Sequence, residues 1–214
     1  TLLLTGGSMM YIDAVCNGLD TIPNIPESIR SHIKTQYAER GLEWLQREVE
    51  RLDPNYWSIV DKTNPRRLMH GLEVTIATGK TYSSFRKRDV KKRTFEIIKI
   101  GLFLPREKLY ERINQRVDNM LEQGLEEEAR RAYPYKRYNS LQTVGFREFF
   151  AYFDGTITRE EAIRLIKQNS RHYAKRQMTW FRADPTIHWL QADTDYDKKM
   201  DIIIGWLRAD GLQS

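Results

Sequence analysis

The run TFEIIKIGLFL (94–104) stops at Pro105 and gives way at once to EKLYERINQRVDNMLEQG. That junction constrains the fold more than any other stretch of the chain. The near-continuous apolar end of the run is the pattern of a strand covered on both faces, and a proline cannot continue a sheet ladder. The segment after it places Leu109, Ile113, Val117 and Met120 or Leu121 at helical spacing. A buried strand leading into an amphipathic helix is the repeating unit of α/β folds. The N-terminus carries the same sequence of signals. Thr1–Leu4 reads as a buried strand, Gly6-Gly7-Ser8 as a tight turn and Met9–Val15 as the start of a helix. The expected fold class is therefore α/β with a parallel sheet.

The remaining segments are mostly helical. Gly18–Pro26 is a loop punctuated by Pro23 and Pro26. ESIRSHIKTQYAERGLEWLQREVERL reads as two helices broken near Gly41. Asp53-Pro54 and Asn64-Pro65 each place a capping side chain before a first-turn proline, and the second pair opens a helix running to Gly79. Residues 20–62 then form a helical insertion, and 1–19 with 63–214 form the core domain. KRDVKKR (87–93) is a basic loop. Thr158-Arg159-Glu160-Glu161 is a capping box opening a helix to Arg182, about 24 residues or ~36 Å long. TIHWL reads as a last short strand and DKKMDIIIGWL as a last helix.

Several function classes are excluded. No stretch approaches the ~18 apolar residues of a membrane-spanning helix. One cysteine in 214 residues, Cys16, excludes an internal disulfide and a cysteine-rich zinc site. His32, His70, His172 and His188 lack metal-ligand spacing, so no metal-binding residue is proposed. Gly79-Lys80-Thr81 imitates the end of a phosphate-binding loop. The full pattern needs a glycine five residues earlier, where Val74 stands, and a preceding strand. Gly79 reads instead as a helix C-cap.

The formal net charge is +6, and the placement of that charge is more informative than its total. RRAYPYKRY and RHYAKRQMTWFR interleave basic and aromatic side chains, a combination suited to phosphate contact and base stacking. Arg164, Lys167, Arg171, Lys175, Met178 and Arg182 recur at spacings of three and four, so one face of the long helix is basic. Arg112 and Arg116 share a helix face just after a strand. There they either hold a diphosphate or form a solvated pair with Glu107 and Glu111. Gly6-Gly7-Ser8 is either an anion site at a helix N-terminus or a turn capped by Ser8. Gly145, beside Phe146 and Arg147, either lets a ligand approach the backbone or is a detail of helix packing.

Taken together, LTGGSMMY, NPRRLMHGLEV, TGKTYS, ERINQRVDNMLEQGLEEE, TVGFREF and AKRQMTWFR resemble the tRNA dimethylallyltransferase (tRNA isopentenyltransferase) family, bacterial type, in order and spacing along the chain. The resemblance implies a P-loop-NTPase-like parallel-sheet core, incomplete here, with a helical insertion and a helix-rich C-terminal part. It implies that the phosphate-binding loop and a catalytic aspartate lie in a segment preceding LTGGSMMY. The fragment as given is then expected to be inactive alone. The implied reaction moves a dimethylallyl group from its diphosphate to the exocyclic amine of the adenosine 3′-adjacent to the anticodon. Mg²⁺ assists, held mainly through the diphosphate and that preceding segment.

Position by position, the resemblance gives Ser8 and Arg116 catalytic roles, with Ser8 touching the target nucleotide where the family usually has threonine. Arg112 and Arg116 face the prenyl diphosphate. It gives tRNA contacts to Arg30, to Arg66, Arg67, Leu68, Met69 and His70, and to Gln142, Thr143, Val144, Gly145, Phe146 and Arg147. A last tRNA-contacting set is Lys175, Arg176, Gln177, Met178, Thr179, Trp180, Phe181 and Arg182. The implied partners are the tRNA anticodon stem-loop and dimethylallyl diphosphate, and the implied setting is a cytoplasmic monomer without a membrane partner. Two other readings stand beside this one. A nucleotide-dependent kinase of related α/β build accounts for the strand–turn–helix but not for the long basic helix. A non-catalytic RNA-binding module accounts for the basic helix but not for Arg112 and Arg116 after a buried strand.

Overall fold

The computed structural model describes residues 2–87 and 91–209. Thr1, and the centre of the basic loop expected at 87–93, lie outside the described residues. Among the described residues, ten α-helices and two strands follow in order: α1 (Met9–Asn17), α2 (Glu27–Leu52), α3 (Pro54–Trp57), α4 (Pro65–Thr78), α5 (Tyr82–Phe85), β1 (Lys99–Phe103), α6 (Arg106–Glu122), α7 (Leu125–Ala132), α8 (Phe146–Phe153), α9 (Arg159–Arg182), β2 (Ile187–Gln191) and α10 (Tyr196–Ala209). The class is a helix-rich α/β fold with a small parallel sheet, as expected. The chain divides into two compact units, one of Met10–Thr94 and one of Thr1–Met9 with Phe95–Ser214.

The Met10–Thr94 unit is built on α2 and α4. Gly41 breaks α2 with φ 73° and ψ −171°, a conformation that costs glycine little. Asp53 caps α3 by accepting the Tyr56 N–H at 3.0 Å, and Asn64 caps α4 by accepting the Arg67 N–H at 3.3 Å. Asp53 also accepts the Ser83 N–H at 2.7 Å and the Ser83 hydroxyl at 2.6 Å, which fixes α5 against α3. Ile33, Trp44, Leu45, Val49, Tyr56, Leu68 and Leu72 form the core. Each such side chain contributes about 1.5–3 kcal/mol through burial. Gly71 admits the Tyr56 ring, because a Cβ there would lie 2.5 Å from its Cε1. Gly79 ends α4 in the left-handed region at φ 66°, so Gly79-Lys80-Thr81 is a helix end and not a phosphate loop. The sequence reading divides the chain at 62/63. The compact unit extends to Thr94 because Leu68 and Leu72 of α4 complete the core that α2 begins.

In the other unit, β1 pairs with β2 in parallel, from Lys99 opposite Ile187 to Phe103 opposite Gln191. Lys99 Nζ meets Asp184 Oδ2 at 2.7 Å just before β2. The intervening helices pack around Val117, Leu125, Ala129, Phe149, Phe150, Ala162 and Ile166. Thr158 accepts the Glu161 N–H at 3.2 Å, and α9 runs from Arg159 to Arg182, the start and end expected from the sequence.

Two strand expectations are corrected. Leu2–Leu4 form no strand; Leu2 is wholly exposed and Leu3 89% exposed. A strand exists only through its ladder, and among the described residues β1 and β2 pair with each other alone. The second concerns 94–104, where only 99–103 are strand. Leu102 is 61% exposed, so the predicted burial of both faces does not hold among the described residues.

Candidate nucleic-acid and diphosphate site

The 24-residue helix α9 organises this site, and its basic residues divide into two groups. Up to Arg171 they are engaged within the protein. Arg164 forks onto Glu161 at 2.6 and 2.7 Å, holding that carboxyl below its usual range. Lys167 Nζ meets Asp118 Oδ1 of α6 at 2.6 Å. Arg171 Nη1 donates to Asn114 Oδ1 of α6 at 2.6 Å. In the second half Lys175, Arg176 and Arg182 are exposed and, among the described residues, make no ion pair. Arg176 lies over the Tyr173 ring at 5.7 Å, and Trp180 is 49% exposed. The basic face read from the sequence thus has protein partners up to Arg171 and none of its cations ion-paired beyond it among the described residues.

Asn114 and Asp118 place one side of α6 against α9. Arg112 and Arg116 precede them by two residues, a rotation of about 200° on an α-helix. The two arginines therefore project from the far side of α6, where both are exposed and neither is ion-paired among the described residues. Two unengaged guanidinium groups one turn apart can meet a doubly charged diphosphate with parallel N–H donors.

The glycine turn approaches α9 directly. Gln177 Nε2 donates to the Gly7 carbonyl oxygen at 2.7 Å. Ser8 follows at the start of α1, exposed, with its hydroxyl bonded to no other described group. The structure thus brings together Gly7, Ser8 and the second half of α9, which stand far apart in the sequence.

The Gln142–Arg147 segment leads into α8. Gly145 has φ 104°, a region that other residues enter only with strain. Its N–H donates to Glu148 Oε2 at 2.8 Å. Glu148 Oε1 accepts Arg147 Nη2 and Asn169 Nδ2, both at 2.8 Å. Arg147 remains exposed, whereas Glu148 is 3% exposed. Gln142 Nε2 donates to the Lys136 carbonyl at 2.6 Å, tying the segment to the YPYKRY loop. Sequence reading missed Glu148 and Asn169. Glu148 had a usable signal, an acid three residues after a glycine at a helix start; Asn169 had none.

The remaining expected contacts lie in the Met10–Thr94 unit. Arg30, Arg66 and Arg67 are exposed, on α2 and α4. Leu68 is fully buried and holds α4 in place, whereas Met69 is partly buried and packs against the same core. His70 Nδ1 lies 3.8 Å from Glu73 Oε2 and its ring meets Tyr82 edge-on at 5.2 Å. Among the described residues no group of three or more metal-ligating side chains occurs.

Comparison with known proteins follows the same residues. The model of the IPP transferase family matches residues 1–184. The chain is 52% identical over 194 residues to tRNA dimethylallyltransferase 2 of Porphyromonas gingivalis, covering 91% of this chain and 65% of that protein. It is 54% identical over 193 residues to tRNA dimethylallyltransferase 1 of Phocaeicola vulgatus, covering 90% and 64%. The chain therefore spans about two thirds of the length of these relatives. Among solved structures it is similar to the tRNA isopentenylpyrophosphate transferase of Bacillus halodurans, at 33% identity and TM-score 0.58, covering 94% of this chain and 63% of that one. A eukaryotic dimethylallyltransferase acting on tRNA shares the fold at TM-score 0.70 and 22% identity, covering 96% and 56%.

Proposed function

Because this chain belongs to the IPP transferase family, we propose that the protein transfers a dimethylallyl group from dimethylallyl diphosphate to the exocyclic amine of the adenosine 3′-adjacent to the anticodon in tRNA. A bond forms between the allylic carbon and the amine nitrogen as the carbon–oxygen bond to diphosphate breaks. The diphosphate leaves with the bonding electrons, and the amine proton passes to a base.

Arg116, with Arg112 beside it, opposes the negative charge that develops on the diphosphate. Ser8 donates its hydroxyl to the target nucleotide. Gln142–Arg147 and Lys175–Arg182 carry the RNA, with Arg147, Lys175, Arg176 and Arg182 on phosphates and Trp180 available for stacking. The adenosine leaves its stack to react, which removes base–base contacts that protein aromatics can replace. On the other unit, Arg30, Arg66, Arg67 and His70 give a second RNA-facing surface. Mg²⁺, when bound, would neutralise the diphosphate. No ligand for it is placed on this chain, whose described residues offer no suitable cluster.

The protein acts in the cytoplasm, as a monomer, and without a membrane partner. Among the described residues no helix is long and apolar enough to cross a membrane. The observation carrying this reading is the division of α9, whose basic residues lose their protein partners where the helix meets the Gly7-Ser8 turn. Family membership sets the kinase reading aside. Arg147→Ala and Arg182→Ala in the intact enzyme test the RNA-facing surface. Each should weaken binding of unmodified tRNA, and unchanged affinity in both would contradict the assignment.

A further inference from the structure

Glu148 is a carboxylate with 3% exposure, and it accepts three hydrogen bonds. The Gly145 N–H alone needs only one acceptor, which a neutral side chain could supply. Burying a charge costs more than burying a neutral group unless its partners repay the desolvation. Two of the three partners, Gly145 and Arg147, belong to the segment proposed to touch RNA, and the third, Asn169, reaches across from α9. A carboxylate accepts on both oxygens at once. An amide in its place would turn a donor toward either the Gly145 N–H or the Arg147–Asn169 pair.

We infer that Glu148 is a positioning residue that fixes the Arg147 guanidinium in one orientation before RNA arrives. The inference rests on the reading of Gln142–Arg147 as an RNA-contacting segment. Arg147 gives one Nη2 N–H to Glu148, and its exposed guanidinium leaves the other donors to a phosphate. The bond to Glu148 removes rotamer freedom that Arg147 would otherwise lose on binding, so RNA meets a preorganised donor. Asn169 holds the same oxygen, so the alignment is tied to α9 as well as to α8.

The test is a double-mutant cycle in the intact enzyme, read as affinity for unmodified tRNA at fixed salt. Glu148→Gln keeps the volume and is expected to weaken binding by about five- to tenfold, and Arg147→Ala by a similar factor. The double variant should bind no more weakly than Arg147→Ala alone, because Glu148 acts through Arg147. Penalties that multiply would overturn the inference while leaving the RNA reading intact. Wild-type affinity of Arg147→Ala would overturn the inference together with the RNA contact of Gln142–Arg147 on which it rests. Arg147→Lys gives a second readout that does not depend on Glu148→Gln folding. A compact ammonium cannot hold Glu148 and present a planar edge outward. Lysine should therefore bind tRNA within about threefold of Arg147→Ala. Restoration of wild-type affinity by lysine would show that charge alone is used, and would overturn the positioning role.

Discussion

Gln177 Nε2 donates to the carbonyl oxygen of Gly7 at 2.7 Å across a sequence separation of 170 residues. This bond joins the second half of α9 to the turn that carries Ser8, so segments far apart in the sequence lie side by side. A Cβ on Gly7 would lie 2.2 Å from Gln177 Nε2, so Gly7 leaves room for the glutamine. Gly7→Ala should displace Gln177, and Gln177→Ala should remove the same bond. Each should cost about 1 kcal/mol of alignment and raise KM for tRNA several-fold, with little change in thermal stability. Steady-state kinetics at varied tRNA checks this, and an unchanged KM in both variants would show that the contact is incidental.

The division of α9 makes a second prediction. Lys175→Gln and Arg182→Gln should each weaken tRNA binding and lower the log–log salt slope by at most about one. Lys167→Met and Arg171→Met should lower the melting temperature and leave the slope unchanged, because their charges face Asp118 and Asn114 of α6. Equal slopes in all four variants would contradict the division.

Arg116→Ala should impair use of dimethylallyl diphosphate and leave tRNA affinity nearly intact. Removing a charged donor from a developing diphosphate costs roughly 2–4 kcal/mol of transition-state stabilisation. Turnover at limiting prenyl donor measures it. Wild-type turnover there would remove Arg116 from the site.

Much of this was legible because it is local. Asp53, Asn64 and Thr158 each bond a backbone N–H three residues ahead, and a reader of the sequence needs nothing beyond that spacing. The break at Gly41 and the stop at Gly79 follow from conformations available to glycine. The illegible features depend on distant partners. Acids are scarce along α9 after Glu161, so its face read as uniformly basic, yet Asp118 comes from α6. Leu68 sits in a run resembling an RNA contact and is core, because α2 covers it. The apolar run ending at Leu104 signals burial, but burial also needs covering elements, and Leu102 has none among the described residues.

Tyr56 provides a pH test of the Met10–Thr94 unit. Burial pushes its phenol up to about 12, with Tyr82 adding to the shift, while its hydroxyl donates to the Arg67 carbonyl at 3.0 Å. The folded pKa exceeds the unfolded one. The contribution is therefore full below the unfolded value near 10 and is lost as pH rises toward about 12. Chemical denaturation between these pH values should show a steeper loss of stability in the wild type than in Tyr56→Phe. Parallel losses would contradict the assignment.

The most direct measurement of the central claim is transfer itself. The intact enzyme is incubated with labelled dimethylallyl diphosphate, Mg²⁺ and tRNA carrying an unmodified adenosine 3′-adjacent to the anticodon. A matched tRNA carries inosine there, which has oxygen in place of the exocyclic amine. Label is expected in the adenosine tRNA alone. Label in both, or in neither while the adenosine tRNA is tightly bound, would contradict it.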